Sequence, residues 1–188
     1  MLIYSFEPRP FMARPSFIRR FTFEARMVTE SNQEDLAGIG GWLILVLFGL
    51  LASPVRILLY AYEDVWPLYS EGIWVDLTHQ SSDFYMPGFA GVAGFSIANN
   101  AVLLLVGLLT LYLFLRKSRY APRVAITWFA IGLVFAVLDI ILLRQVPPLA
   151  AEVTGLDTFE AVAGPALRAA IWIPYFFVSK RVRATFVR

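Results

Sequence analysis

The sequence predicts an all-α fold, an integral membrane four-helix bundle with both termini in the cytoplasm. Of its 188 residues, 59% are hydrophobic and 16% are charged, whereas soluble domains have about 45–50% and about 25%. This composition excludes a disordered chain, which needs low hydrophobicity and high charge. It also argues against a soluble enzyme domain, because the core of a soluble domain of this length could not hold so much apolar surface.

The sequence divides into a basic and polar N-terminal arm, residues 1–37, and a membrane domain, residues 38–188. Five arginines lie within the first 26 residues, and the remainder carries 11 basic and 12 acidic side chains. The isoelectric point of the sequence, about 9.0, therefore comes from the arm and does not indicate a nucleic-acid surface. Two interpretations of the arm stay open. It lies on anionic lipid headgroups with its phenylalanines inserted, or the translation start is placed too early and Met27 is the first residue.

Four stretches are long and apolar enough to span a membrane, which takes about 20 residues. They lie at about residues 40–62, 88–115, 122–143 and 159–178. Each must be helical, because an isolated strand would leave its backbone groups unpaired in hydrocarbon.

Charge in the connections predicts the orientation. The loop from residue 63 to residue 87 has five acidic residues and no Lys or Arg. The second connection and the tail are basic, and basic residues in short loops stay cytoplasmic. We therefore expect a bacterial inner-membrane protein with a cytoplasmic basic collar. The collar consists of Arg116, Lys117, Arg119, Arg123, Lys180, Arg181 and Arg183.

The first acidic loop contains a short apolar pattern. Ile73, Trp74 and Leu77 are at helical spacing, which predicts a short amphipathic helix in the outer interface. An aromatic belt that anchors an irregular loop is the other interpretation.

Five polar residues lie inside the predicted spans. Charged groups at membrane depth usually face the bundle interior and have partners. All of them except Asn99 share a helix face with small residues, the pattern of close helix packing. The sequence therefore predicts a buried polar cluster of Arg56, Asn99, Asn100, Asp139 and Arg168.

This cluster has two interpretations. As a structural element, an ion pair of Asp139 with the arginines fixes how the helices pack. As a functional element, it binds an anionic substrate, because two arginines face one aspartate, or it relays protons through Asp139.

Other chemistry is not indicated. The sequence has no cysteine and one histidine, so it offers no thiolate site and no multi-histidine metal or haem site. That histidine, His79, lies between two acidic residues, a pattern more typical of an exposed polar side chain than of a metal site. No catalytic motif is present, and we expect neither an enzyme nor a cofactor.

Several segments resemble the bacterial domain-of-unknown-function 2569 family. They are GIGGWL at the start of the first span, SPVR at residues 53–56, Trp74 with Leu77 and Thr78, the pair Leu138–Asp139, and the closing IWIPYFFVSKRVRATFV. The resemblance covers about residues 38–187, and the arm before Met27 departs from it. It implies a four-helix inner-membrane protein with no assigned activity.

We expect an accessory or interaction subunit of a membrane complex, because the chain is small and lacks catalytic motifs. Its partners would be membrane lipids and another membrane protein or a second copy of itself, with no nucleic acid. The alternative is a small carrier or a lipid- or anion-binding protein that uses the Arg/Asp cluster.

Overall fold

The structure is a computed structural model that describes residues 38–187. The arm at residues 1–37 and the alternative start at Met27 lie outside the described residues. Within residues 38–187 every regular element is a helix, which confirms the predicted all-α class.

Eight α-helices follow one another along this part of the chain. They are α1 (Trp42–Tyr60), α2 (Trp66–Ser70), α3 (Ile73–Thr78), α4 (Phe89–Leu115), α5 (Ala121–Leu143), α6 (Pro147–Glu152), α7 (Gly155–Val178) and α8 (Lys180–Thr185). A π-helical turn, Ala61–Val65, joins α1 to α2. Four helical segments are long and apolar enough to cross a membrane: Trp42–Ser70, Phe89–Leu115, Ala121–Leu143 and Gly155–Val178.

Two helix ends differ from the sequence prediction. The first span continues to Ser70 instead of ending near residue 62, and its wider π-helical turn comes just before Pro67. Pro67 cannot donate the next backbone hydrogen bond and would clash with a regular preceding turn. The fourth span begins at Gly155 instead of about residue 159, because Thr154 and Asp157 form a reciprocal capping box.

The four spanning helices form an open ring. Helix α4 packs against α1 and α5, and α5 packs against α7. Among the described residues α1 and α7 pack much less closely, so a seam runs between the first and last spanning helices. The basic end of the bundle is the end that carries Trp42, the connection at residues 116–120 and α8. The acidic end is the opposite one.

The main hydrophobic core lies toward the basic end. Phe114 is fully buried and its ring lies 5.0 Å from that of Phe186, just after α8. The core contains ten buried residues: Leu43, Val46, Leu50, Phe114, Ala121, Ala125, Phe129, Phe176, Val182 and Phe186. Chain segments that are far apart in sequence thus meet in one cluster.

The start of the membrane domain is tied to its end. The Gly38 N–H donates to Thr185 Oγ1 at 3.1 Å, and that hydroxyl donates to the Gly38 carbonyl at 3.0 Å. The Arg181 guanidinium lies against Gly40, where an added Cβ would come within 2.8 Å of it. Gly41 has a φ of 56°, which favours glycine. These contacts explain the glycines of the GIGGWL segment.

Helices α4 and α5 approach closely through a glycine. A Cβ on Gly107 would lie 3.2 Å from Trp128 Nε1. That indole N–H donates to the Leu103 carbonyl at 3.0 Å, so one hydrogen bond crosses the interface. A small residue on α4 therefore makes room for a large one on α5.

Candidate functional site

A cavity of about 420 Å³ lies among the four spanning helices. This volume is in the range of ligand pockets, about 300–1,000 Å³. All five residues of the predicted polar cluster contribute to its lining. They are Arg56 from α1, Asn99 and Asn100 from α4, Asp139 from α5 and Arg168 from α7.

Asn99 and Asp139 form the polar contact between α4 and α5. Asn99 is 95% buried, since its exposed fraction is 5%, and its Nδ2 donates to Asp139 Oδ2 at 2.8 Å. Asn99 Oδ1 and the second carboxylate oxygen of Asp139, Oδ1, are buried and have no hydrogen-bond partner among the described residues. Buried polar groups are rarely left so, and this pair therefore marks a polar site in an otherwise apolar bundle.

The polar side chains next to this pair form one hydrogen bond within α4 and one contact between α4 and α1. Asn100 Nδ2 donates to the Ser96 carbonyl in its own helix at 2.9 Å. The Ser96 and Tyr60 hydroxyls lie 3.4 Å apart and join α4 to α1. Asn100 thus lines the cavity without contacting Asp139 in the way that Asn99 does.

The arginines do not pair with the aspartate. Within residues 38–187, neither Arg56 nor Arg168 comes within the 4.0 Å ion-pair distance of Asp139. Arg168 Nε instead donates to the Gly164 carbonyl of its own helix at 3.2 Å. The expected ion pair is therefore absent, because Asp139 faces α4 while the arginines lie on the two helices beside the seam.

The cavity lining carries two positive charges. Arg56 lines it from α1 and Arg168 from α7, and like charges in a low-dielectric bundle repel each other. Both side chains are exposed, whereas Asn99 is buried. An arginine at membrane depth is costly without a counter-charge. The arrangement can therefore hold an anion between two guanidinium groups.

Prolines interrupt both helices that carry these arginines. Pro54 lies inside α1, two residues before Arg56, and Pro165 lies inside α7, three residues before Arg168. Each proline removes one backbone hydrogen bond. Pro165 cannot donate a hydrogen bond to the carbonyl of Ala161, four residues earlier, and Ala161 also lines the cavity.

Sequence reasoning missed the apolar part of the lining. Trp128 lies on the cavity wall, as do Leu45, Ile57 and Ile140. Nothing in the sequence separates them from apolar residues that face lipid, because in a membrane both environments select the same side chains.

The basic collar lies at the basic end, away from the cavity lining. Its side chains interact locally: Arg116 stacks on Tyr112 with 5.4 Å to the ring centroid, and Arg119 on Tyr120 with 5.0 Å. Arg183 donates to the Val178 carbonyl at 3.3 Å. Arg123, Lys117 and Lys180 also lie at this end. The cytoplasmic position of the basic collar stays a prediction.

The acidic segment at residues 63–87 contains α2, which ends the first span, and the separate short helix α3. Helix α3 covers the predicted pattern, and Trp74 stacks on Tyr69 with ring centroids 5.2 Å apart. The interfacial position of α3 stays a prediction. His79 Nδ1 lies 2.8 Å from the Ser81 hydroxyl.

Comparison with known proteins places the chain in a family without assigning an activity. The model of the family described as "Protein of unknown function (DUF2569)" matches residues 36–187. No curated protein and no solved structure matches the chain. The match covers the whole four-helix domain and confirms the resemblance of the individual segments. The chain therefore belongs to the DUF2569 family, whose function is unknown.

Proposed function

We propose that this multi-pass membrane protein binds an anionic ligand in its intramembrane cavity. The observation that carries the proposal is the charge arrangement of the lining. Arg56 and Arg168 line the cavity from two helices. Asp139, the only acidic side chain among the described residues of the lining, hydrogen-bonds Asn99 instead of either arginine.

The physical argument rests on uncompensated charge. Two guanidinium groups that share a cavity in a low-dielectric bundle repel each other, and an anion between them would replace repulsion by attraction. Guanidinium groups have five N–H donors in a planar arrangement that matches carboxylate and phosphate oxygens. A bound anion would therefore be both neutralised and hydrogen-bonded.

The accessory role is the weaker proposal for this geometry. It is supported by the small size of the chain and uses neither the cavity nor its arginines. The two proposals differ in what they require, because anion binding needs this chain alone and an accessory role needs a partner protein.

Purified protein in a neutral detergent tests the proposal. Thermal unfolding is measured with and without inorganic phosphate, glycerol phosphate and phosphatidylglycerol, and with phosphatidylcholine as the neutral-headgroup comparison. We expect at least one anion to raise the unfolding midpoint by selective binding to the folded state. The Arg168→Gln variant should lose this shift.

Arg144→Gln is the matched control, because Arg144 is outside the cavity lining and its guanidinium donates to Thr158 at 3.1 Å. It should keep the full shift. If no anion stabilises the wild type, and the protein co-purifies in mild detergent with a stoichiometric partner, anion binding is refuted and the accessory role is favoured.

We also propose that both termini face the cytoplasm of a bacterial inner membrane, on the basis of the charges in the connections. The sequence has no cysteine, so single cysteines report on accessibility without background. Ser118→Cys should react with a membrane-impermeant thiol reagent only after the cells are opened, and Ser81→Cys should react in intact spheroplasts. The reverse pattern would invert the topology.

A further inference from the structure

We propose that the ligand is a phospholipid with an anionic headgroup, which enters the cavity sideways through the seam between α1 and α7. This inference rests on the proposed anion-binding function and adds the chemical class of the ligand and its route. Two independent observations support it, the exposure of the cavity lining and the closure of the seam at one end.

Exposure of the lining residues differs from helix to helix. On α4 and α5 the lining is buried or half-buried, as for Asn99 and Asp139. On α1 and α7 six of the eleven lining residues are exposed, whereas Val46 and Ile57 are buried. The six exposed residues are Leu45, Gly49, Ala52, Arg56, Ala161 and Arg168. Helices α4 and α5 therefore form the back of the cavity, and α1 and α7 form its two rims.

The rims meet only toward the basic end. The rings of Trp42 and Trp172 make an edge-to-face contact with centroids 6.2 Å apart. Beyond them, Arg181 lies against Gly40, and the Thr185 hydroxyl hydrogen-bonds Gly38. Along the rest of their length α1 and α7 are not one of the closely packed helix pairs of the described residues. The inferred route into the cavity leads sideways between the two rims, at the level of the arginines.

A sideways route between two apolar helices favours an amphiphilic ligand over a small ion dissolved in water. An ion in water would have to cross hydrocarbon at great cost, whereas a phospholipid already has its acyl chains there. Its phosphate would contact Arg56 and Arg168, because guanidinium groups bind phosphate oxygens in pairs. Its acyl chains would contact apolar rim residues such as Leu45, which is 55% exposed.

The test compares lipid with soluble ligands of the same headgroup chemistry. Wild-type protein in a neutral detergent is analysed by native mass spectrometry and thermal unfolding with phosphatidylglycerol, phosphatidylcholine, glycerol phosphate and inorganic phosphate. We expect selective retention of phosphatidylglycerol and a midpoint shift at lower concentration than with either soluble phosphate. Arg56→Gln and Arg168→Gln should each weaken phosphatidylglycerol binding about tenfold or more, the effect of losing charge-assisted hydrogen bonds.

A substitution in the rim tests the sideways route without changing the charge of the cavity. Gly49 lines the cavity from α1, and a Cβ there would meet nothing within 4 Å, so Gly49→Leu adds bulk to the rim at a position with open space around the Cβ. We expect it to weaken phosphatidylglycerol binding while both arginines and the unfolding midpoint of the free protein are retained. Arg144→Gln, outside both the cavity lining and the basic collar, is the control and should bind like the wild type.

The outcomes distinguish this inference from the proposed function. Stabilisation by glycerol phosphate or inorganic phosphate as strong as by phosphatidylglycerol would keep anion binding and overturn the lipid. Equal retention of phosphatidylglycerol and phosphatidylcholine would also overturn it, because the arginines would then not distinguish an anionic headgroup from a neutral one. An absence of any effect of all four compounds would refute both proposals.

Discussion

The basic end and the cavity of the bundle are built from the same four helices in opposite ways. Toward the basic end, the helices meet in an apolar core around Phe114, and α8 and the start of the domain close over it. Around the cavity, the same helices present charged and amide side chains, and α1 and α7 separate. One region is packed, and the other keeps space and charge.

This difference shows where stability and function are expected to reside. In a membrane, helix association depends mainly on close packing, because lipid tails are as apolar as the side chains they replace. The basic end supplies that packing. Charged residues at depth are expensive and usually functional, and in this bundle they surround a cavity. Substitutions in the two regions should therefore have different effects on stability and on binding.

The largest expected effect is in the packed region. Phe114 is fully buried, and Phe114→Ala should lower the free energy of unfolding by about 3 kcal/mol, as truncation of a core phenylalanine does. Unfolding in mixed micelles with increasing SDS measures it. Leu115→Ala is the matched control, since Leu115 is 57% exposed, and it should change little. Equal losses for the two variants would contradict the assignment of the core to this end.

The next effect concerns the polar contact at the back of the cavity. Asn99→Leu removes the donor of Asp139 and should cost about 1–3 kcal/mol, the penalty for leaving a buried polar group unpaired. Asn100→Leu should cost less, because Asn100 bonds only to its own helix. Adding Asp139→Leu to Asn99→Leu should recover part of the loss. Strictly additive losses would show that the two side chains do not interact.

The sequence predicts these two regions unequally. Span number and helix type follow from hydropathy, and the five polar residues of the cavity follow from their cost in lipid. The predicted ion pair between Asp139 and the arginines was wrong. The spacing of residues along a helix indicates which face they share, and it does not give their distance from a residue on another helix. The choice of Asn99 over Arg56 as the partner of Asp139 depends on how α4 and α5 are rotated, which is a property of the whole bundle.

Some boundaries were predictable and were missed. Thr154 and Asp157 have the spacing of a capping box, which sets the start of α7 at Gly155. Ser179 caps α8 by accepting from the Val182 N–H at 3.3 Å, so the tail is a short helix. The continuation of the first span through a π-helical turn has no such pattern, because Pro67 alone is equally typical of a helix end.

A smaller effect compares two glycines across these regions. Gly107→Ala brings a Cβ to 3.2 Å from Trp128 Nε1 and should destabilise the protein by about 1 kcal/mol, toward the lower end of overpacking costs. Gly49→Ala meets nothing within 4 Å and should be neutral or stabilising by up to about 1 kcal/mol, because alanine favours helix. Thermal unfolding of both variants measures the difference. The opposite order would mean that the cavity wall is the more tightly packed surface.

The smallest expected effect on stability decides between the structural and the functional interpretation of the arginines. An ion pair that held the bundle together would make Arg56→Gln strongly destabilising, because it would leave Asp139 buried without its counter-charge. In the structure Asp139 bonds Asn99 and Arg56 is exposed, so Arg56→Gln should change the free energy of unfolding by less than about 0.5 kcal/mol. Removing one of two repelling charges even favours a small gain. SDS unfolding without added lipid gives the value, and a loss comparable to that of Asn99→Leu would return the arginine to a structural role.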